Sequence, residues 1–102
     1  MAVNYKKLKE AAIDVIDDYS DFDVLANYGG KYSAKTKLAT LGIGTAMMGF
    51  ICKPLNKRMR ELLGAKWQRV GPADLHGINT IGKMIVLCCG QAGVPLPNGE
   101  PT

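Results

Sequence analysis

Histidine is nearly absent from this 102-residue chain, with His76 standing alone, and cysteine is scarce, at three with no C-x-x-C pair. A zinc centre of ordinary ligand count therefore has too few donors to form. A Ser–His or Cys–His enzyme would have to use His76, which lies in the turn-rich stretch Asp74-Leu75-His76-Gly77 with only Asp74 near it in sequence. A single histidine so placed reads as incidental to catalysis. Cys88 and Cys89 are adjacent, where a bridge is strained, and Cys52 is left over. Three small apolar thiols in a reducing compartment is the plain reading. Long apolar runs are missing too. The longest uncharged stretch, Leu38 to Cys52, holds Gly42, Gly44 and Gly49 and falls short of the roughly 18 apolar residues that a membrane span needs. Met1 to Lys7 has no apolar segment of leader type ahead of its charges, so the expectation is a protein made and used in cytosol.

What is present is one domain's worth of chain with 47% hydrophobic residues, enough for a single modest core. The net charge of +4 conceals a split. Residues 1–25 set three lysines against six carboxylates, and residues 26–102 set ten Lys/Arg against three, giving −3 and +7. Such asymmetry suits head-to-tail contact between copies, or a basic face turned to an acidic partner.

Leu8, Ala12, Val15, Ile16 and Tyr19 recur at helical spacing, and Asn4 is a good N-cap, so residues 4–20 read as an amphipathic helix. Its lysines lie in the first turn and its aspartates in the last, against the macrodipole. From residue 23 to 90 the reading is β. Asp23 to Tyr28 forms a strand, Gly29-Gly30 a tight turn, Thr45 to Cys52 a second strand stopped by Lys53-Pro54, and Met84 to Cys89 the strongest strand. That last strand sends Val86 and Leu87 to opposite sides, with at least one of them fully inside. Residues 56–69 interrupt the β core as a short basic excursion, capped by Asn56 and ended at Gly64. Residues 91–102 form an irregular, Pro/Gly-punctuated tail. The expected fold is mainly β (α+β): one domain over 1–102, an N-terminal helix followed by an open or partial β-barrel with long loops.

Residue patterns that carry chemistry are scarce in this chain. Gly42-x-Gly44 to Gly49 lacks the Lys-Ser/Thr of a phosphate loop. No cofactor, metal or catalytic residue is expected. The one concentrated feature is basic: Lys53, Lys57, Arg58, Arg60, Lys66 and Arg69 around Trp67, with Glu61 the one acid among them. It suits an acidic protein surface with Arg and Trp as anchors, or nucleic-acid phosphates with the indole stacking. The plain alternative is a solvated helix whose Met59, Leu62 and Trp67 reach the core. Asp14, Asp17 and Asp18 at the acidic end of the first helix are the next candidates for partner contact.

In order along the chain, four places carry a resemblance. They are the opening helix Tyr5-Lys6-Lys7-Leu8 to Ile16; the strand and glycine turn continuing as Tyr28-Gly29-Gly30-Lys31-Tyr32-Ser33-Ala34-Lys35-Thr36; the uncharged strand Gly44 to Ile51 ending at Pro54; and Ile78-Asn79-Thr80 to Leu87, followed by Gly93 and Pro97-Asn98-Gly99-Glu100. The layout resembles the small neck, or head–tail connection, proteins of tailed bacteriophages. The resemblance implies a structural virion protein assembled in the host cytoplasm. It would be a subunit of a ring of its own copies between portal and tail proteins, without catalysis. The family's final β-hairpin has no counterpart after the Pro-Asn-Gly turn, which implies sheet edges open to a neighbouring copy. The alternative class is a small basic nucleic-acid-binding domain.

Overall fold

Asn4 accepts a hydrogen bond from the Lys7 N–H at 2.9 Å, and this cap starts the first helix, α1, Tyr5–Tyr19. The computed structural model describes residues 4–102; residues 1–3, part of the stretch read for a leader, lie outside them. Leu8, Ala11, Ala12, Ile13, Val15 and Ile16 are buried along α1. The other helices are α2, Val24–Asn27, α3, Thr45–Leu63, α4, Pro72–Leu75, and α5, Ile81–Ala92, with short 3-10 turns at Leu38–Leu41 and Gly64–Lys66. α1 packs against α2, α3 and α5, and α3 carries α4.

The expected β-barrel is not there. Among the described residues there is no strand; the only β pairings are isolated bridges, Tyr28 with Tyr32 and Lys37 with Thr80. The domain is a small all-helical globule. The Gly29-Gly30 turn is present, with Gly29 at φ +92° and its N–H donating to the Tyr32 carbonyl at 2.8 Å. The residues before it, however, form the helical turn α2 and not a strand.

Thr45 to Cys52 and the start of the basic excursion are one continuous helix, α3. It buries Met48, Ile51, Cys52, Leu55, Asn56 and Met59, an i, i+3, i+4, i+7, i+8, i+11 pattern. Gly49 falls on its exposed side. Pro54 lies inside the helix and takes the intrahelical donor away from the Phe50 carbonyl. Each residue carries its penalty, about 1 kcal/mol for an interior glycine and about 3 for a proline. Burial of the apolar stripe outweighs them, at about 1.5–3 kcal/mol for each large side chain fully removed from water.

The same correction applies to α5. Ile81, Met84, Ile85, Cys88 and Cys89 are buried, again at helical spacing. Val86 is 43% exposed and Leu87 only half-buried, so neither is the inner residue that a strand required. The first turn of α5 has its amide donors satisfied. Ile81 N–H donates to the Thr36 carbonyl at 3.1 Å, Gly82 N–H to the Ala34 carbonyl at 2.9 Å, and Lys83 N–H to the Thr80 hydroxyl at 3.2 Å. Gly82 is needed for this approach, because a Cβ there would lie 2.8 Å from the Ala34 methyl and 2.9 Å from its carbonyl oxygen.

The excursion is not peripheral either. Trp67 and Val70 are buried, and Asn56, expected as a cap, is a buried hub at 6% exposure. Its Oδ1 accepts from Trp67 Nε1 and from Val70 N–H, each at 2.9 Å, and its Nδ2 donates to the Val70 carbonyl at 2.8 Å. Cys52 Sγ also donates to that carbonyl at 3.2 Å. The tail, although irregular, is tied down: Glu100 Oε2 accepts from Tyr5 Oη, Lys9 Nζ and the Thr102 N–H.

Candidate functional site

The phase of α3 sorts the predicted basic residues. Since it turns by 3.6 residues per turn, Ala46, Phe50, Lys53, Lys57, Arg60 and Glu61 share one side, opposite the buried stripe. All are exposed, and Phe50 most conspicuously, at 72%. Lys66, in the 3-10 turn after α3, and Arg69, in the following segment, are exposed as well. Trp67 is not on this surface: it is 7% exposed and bonded to Asn56, so the indole is neither a stacking platform nor an interface anchor.

Arg58 departs from the group. It lies on the flank of α3 that meets α1, and its guanidinium pairs with the Asp14 carboxylate at 2.7 Å. Two residues read from the sequence as docking groups thus bind each other. A groove of about 330 Å³ lies along this seam, lined by Lys7, Glu10, Ala11, Asp14, Leu25, Arg58 and Leu62. The other ion pair among the described residues is Lys9 with Glu100. None of Lys53, Lys57, Arg60, Lys66 and Arg69 is in one, and Glu61 on the same helix pairs with none of them.

The aspartates at the end of α1 have structural work. Asp17 Oδ1 accepts from Val24 N–H at 2.7 Å and from Leu25 N–H at 3.4 Å, which supplies the first donors of α2 with their partner. Asp14, Asp17 and Asp18 bring carboxylate oxygens within 4.8 Å of one another, yet the first two are engaged by Arg58 and by the α2 backbone. Asp18 is left exposed.

Cys52, Cys88 and Cys89 are free and buried. Burial, and then the neighbouring Cys89, push the Cys88 thiol up to about 12, and burial raises Cys89 as well. His76 is exposed, and the Asp74 carboxylate is turned to the Gly71 N–H at 2.8 Å. Among the described residues no hydrogen bond joins a thiol to His76.

Two features escape a reading by residue type. Phe50 looks like core until the helix is phased. The turn Ser20 to Asp23 carries Phe22 outward at 47% exposure between Asp21 and Asp23 in sequence, with exposed Asp18 before it in the last turn of α1 and Leu25 after it at 40% exposure. No transmembrane-length apolar helix occurs among the described residues. No family model, no curated protein and no solved structure matches this chain.

Proposed function

We propose that this chain is a non-catalytic subunit of a protein assembly, and that the outer face of α3 docks on an acidic protein surface. The observation that carries the reading is Phe50, 72% exposed on the same side of α3 as the unpaired Lys53, Lys57 and Arg60. An exposed aromatic ring offers about 1.5–3 kcal/mol on burial, and anchors of this kind dominate protein interfaces. Basic groups next to it steer an acidic partner and set the register. They add little to the fold, since exposed charges of this kind contribute at most about 1 kcal/mol each even when paired. A tailed-phage neck ring, between portal and tail proteins in a virion, is one assembly of this kind. That resemblance implied a barrel, which is absent, and the strand before the Gly29-Gly30 turn is absent with it. The reading therefore stands at the level of an assembly subunit.

The test is a titration of two labelled probes, a Glu/Leu-rich helical peptide and a DNA duplex. The peptide should bind, and K53E/K57E/R60E and F50A should each weaken it by about tenfold or more. Binding of the duplex alone, with a steep salt slope, would replace this reading with the nucleic-acid one. Binding of neither probe would remove the face from consideration.

A further inference from the structure

The acidic surface that fits the α3 face is present on this same chain, and we infer that the partner is a second copy, its Ser20–Asp23 turn seated on the Phe50 face of the first. This rests on the proposed docking function of that face and names its occupant. Each patch has one protruding aromatic ring and three exposed charges of its prevailing sign, with Glu61 the one acid on the basic side. Phe22 goes with Asp18, Asp21 and Asp23; Phe50 goes with Lys53, Lys57 and Arg60.

The acidic turn is held in shape before any partner arrives. Ser20 Oγ donates to the Leu41 carbonyl at 2.9 Å and accepts from the Phe22 N–H at 3.0 Å, while Asp17 fixes the start of α2. Phe22 is thus presented by a fixed turn, and little ordering cost remains for binding. The basic face is presented by the middle of a 19-residue helix. The two patches do not meet within one molecule. α1 and α3 are packed together, and the charge contact between them is Arg58 with Asp14, on the flank of α3 and not on its outer side. Complementary patches that cannot close on themselves are satisfied between copies. Because they are different surfaces, the contact is head-to-tail and each copy keeps one of each free, which propagates to a ring or a chain.

Charge exchange tests this directly. Sedimentation velocity at low salt should show wild-type self-association that weakens by about tenfold as screening approaches physiological ionic strength. D18K/D21K/D23K and K53E/K57E/R60E should each be monomeric alone, because one patch then repels the other. An equimolar mixture of the two should re-associate, since every contact in it joins opposite charges again. Circular dichroism melts establish that each variant is folded. Should a reversal variant fail that check, the neutral sets D18N/D21N/D23N and K53Q/K57Q/R60Q read the same contact through loss of association. A monomeric wild type, association indifferent to either variant, or a mixture that stays monomeric overturns the inference. If the wild type is monomeric while the Glu/Leu peptide still binds through Lys53, Lys57 and Arg60, the self-partner falls and the docking function stands. If the peptide fails too, both fall.

Discussion

Two polar junctions tie chain segments back onto long helices, and they do so by opposite physics. At Asn56 a neutral amide, almost wholly buried on α3, pairs with both the N–H and the carbonyl of Val70 and takes the Trp67 indole proton as well. At Glu100 a charged carboxylate near the surface gathers Tyr5, Lys9 and the Thr102 N–H onto one oxygen, with Lys9 also 5.0 Å above the Tyr28 ring. The first has no ionised group and lies almost wholly out of reach of bulk solvent. Breaking it strands donors in the core, where each orphan costs about 1–3 kcal/mol. The second is screened by solvent and replaceable by it. The lesson is that the number of hydrogen bonds at a junction says little about its worth; the dielectric around them decides.

The sharpest way to break that comparison is Asn56→Ala. It leaves the Trp67 and Val70 N–H groups without acceptors, so it should cost about 3 kcal/mol or more, read as a Tm lower by about 12 °C or more. Equal melting of this variant and the wild type would show that the hub is not what fixes residues 67–70 to α3. Trp67→Phe asks for one arm alone. It removes the indole donor and some ring volume but keeps both Val70 bonds, and should cost about 1–2 kcal/mol by chemical denaturation. If it costs as much as Asn56→Ala, packing of the ring and not the amide holds the segment.

Arg58→Gln tests the solvated side of the comparison on the same helix. Its partner, Asp14, lies 2.7 Å away, but the two side chains are 45% and 29% exposed. The pair should be worth about 0.5 kcal/mol and at most about 1, and it should fade in high salt. A double-mutant cycle with Asp14→Asn measures it. A coupling of several kcal/mol would place this pair with the hub and not with the surface.

These junctions also show why the fold was only partly legible. α1 could be read because its cap, its apolar stripe and its polar face are all local. α5 carried an equally clear stripe at Ile81, Met84, Ile85, Cys88 and Cys89. The unbroken apolar run Met84–Cys89 hid it, because such a run is equally a buried strand. Thr80 and Gly93 bound a segment of 12 residues, too long for that strand, and were the signal to use. In α3 the glycines and Pro54 weighed against a helix, whereas the spacing Met48, Ile51, Cys52, Leu55, Met59 favoured one. Tertiary burial decided, and local propensity cannot report it. Of the candidate site, the basic residues were visible by type. Which of them are free was not, because the pairing of Arg58 with Asp14 and the burial of Trp67 depend on segments far apart in sequence. Phe50 became visible only with the helix phased.

The smallest effect is expected at Glu100, and pH is the tool that resolves it. Partial desolvation opposes ionisation of this carboxyl, but the Thr102 N–H, then Lys9, then Tyr5 outweigh it and hold the group below its ordinary value of 4.5. A carboxylate depressed in the folded state contributes stability above its unfolded pKa and loses that contribution as pH falls through the folded value. The tail should therefore stay docked at neutral pH and loosen in acid, while the Asn56 hub, which contains no carboxylate, is unaffected. Amide-exchange protection of the tail, followed from about pH 6 to about pH 3 and normalised for intrinsic exchange, should fall, with no matching change at Val70. Glu100→Gln should abolish the step and barely move the Tm at neutral pH. A tail whose protection ignores acid, or a Gln variant that keeps the same step, would mean that packing of Val94 against the core, and not the carboxylate, holds the segment.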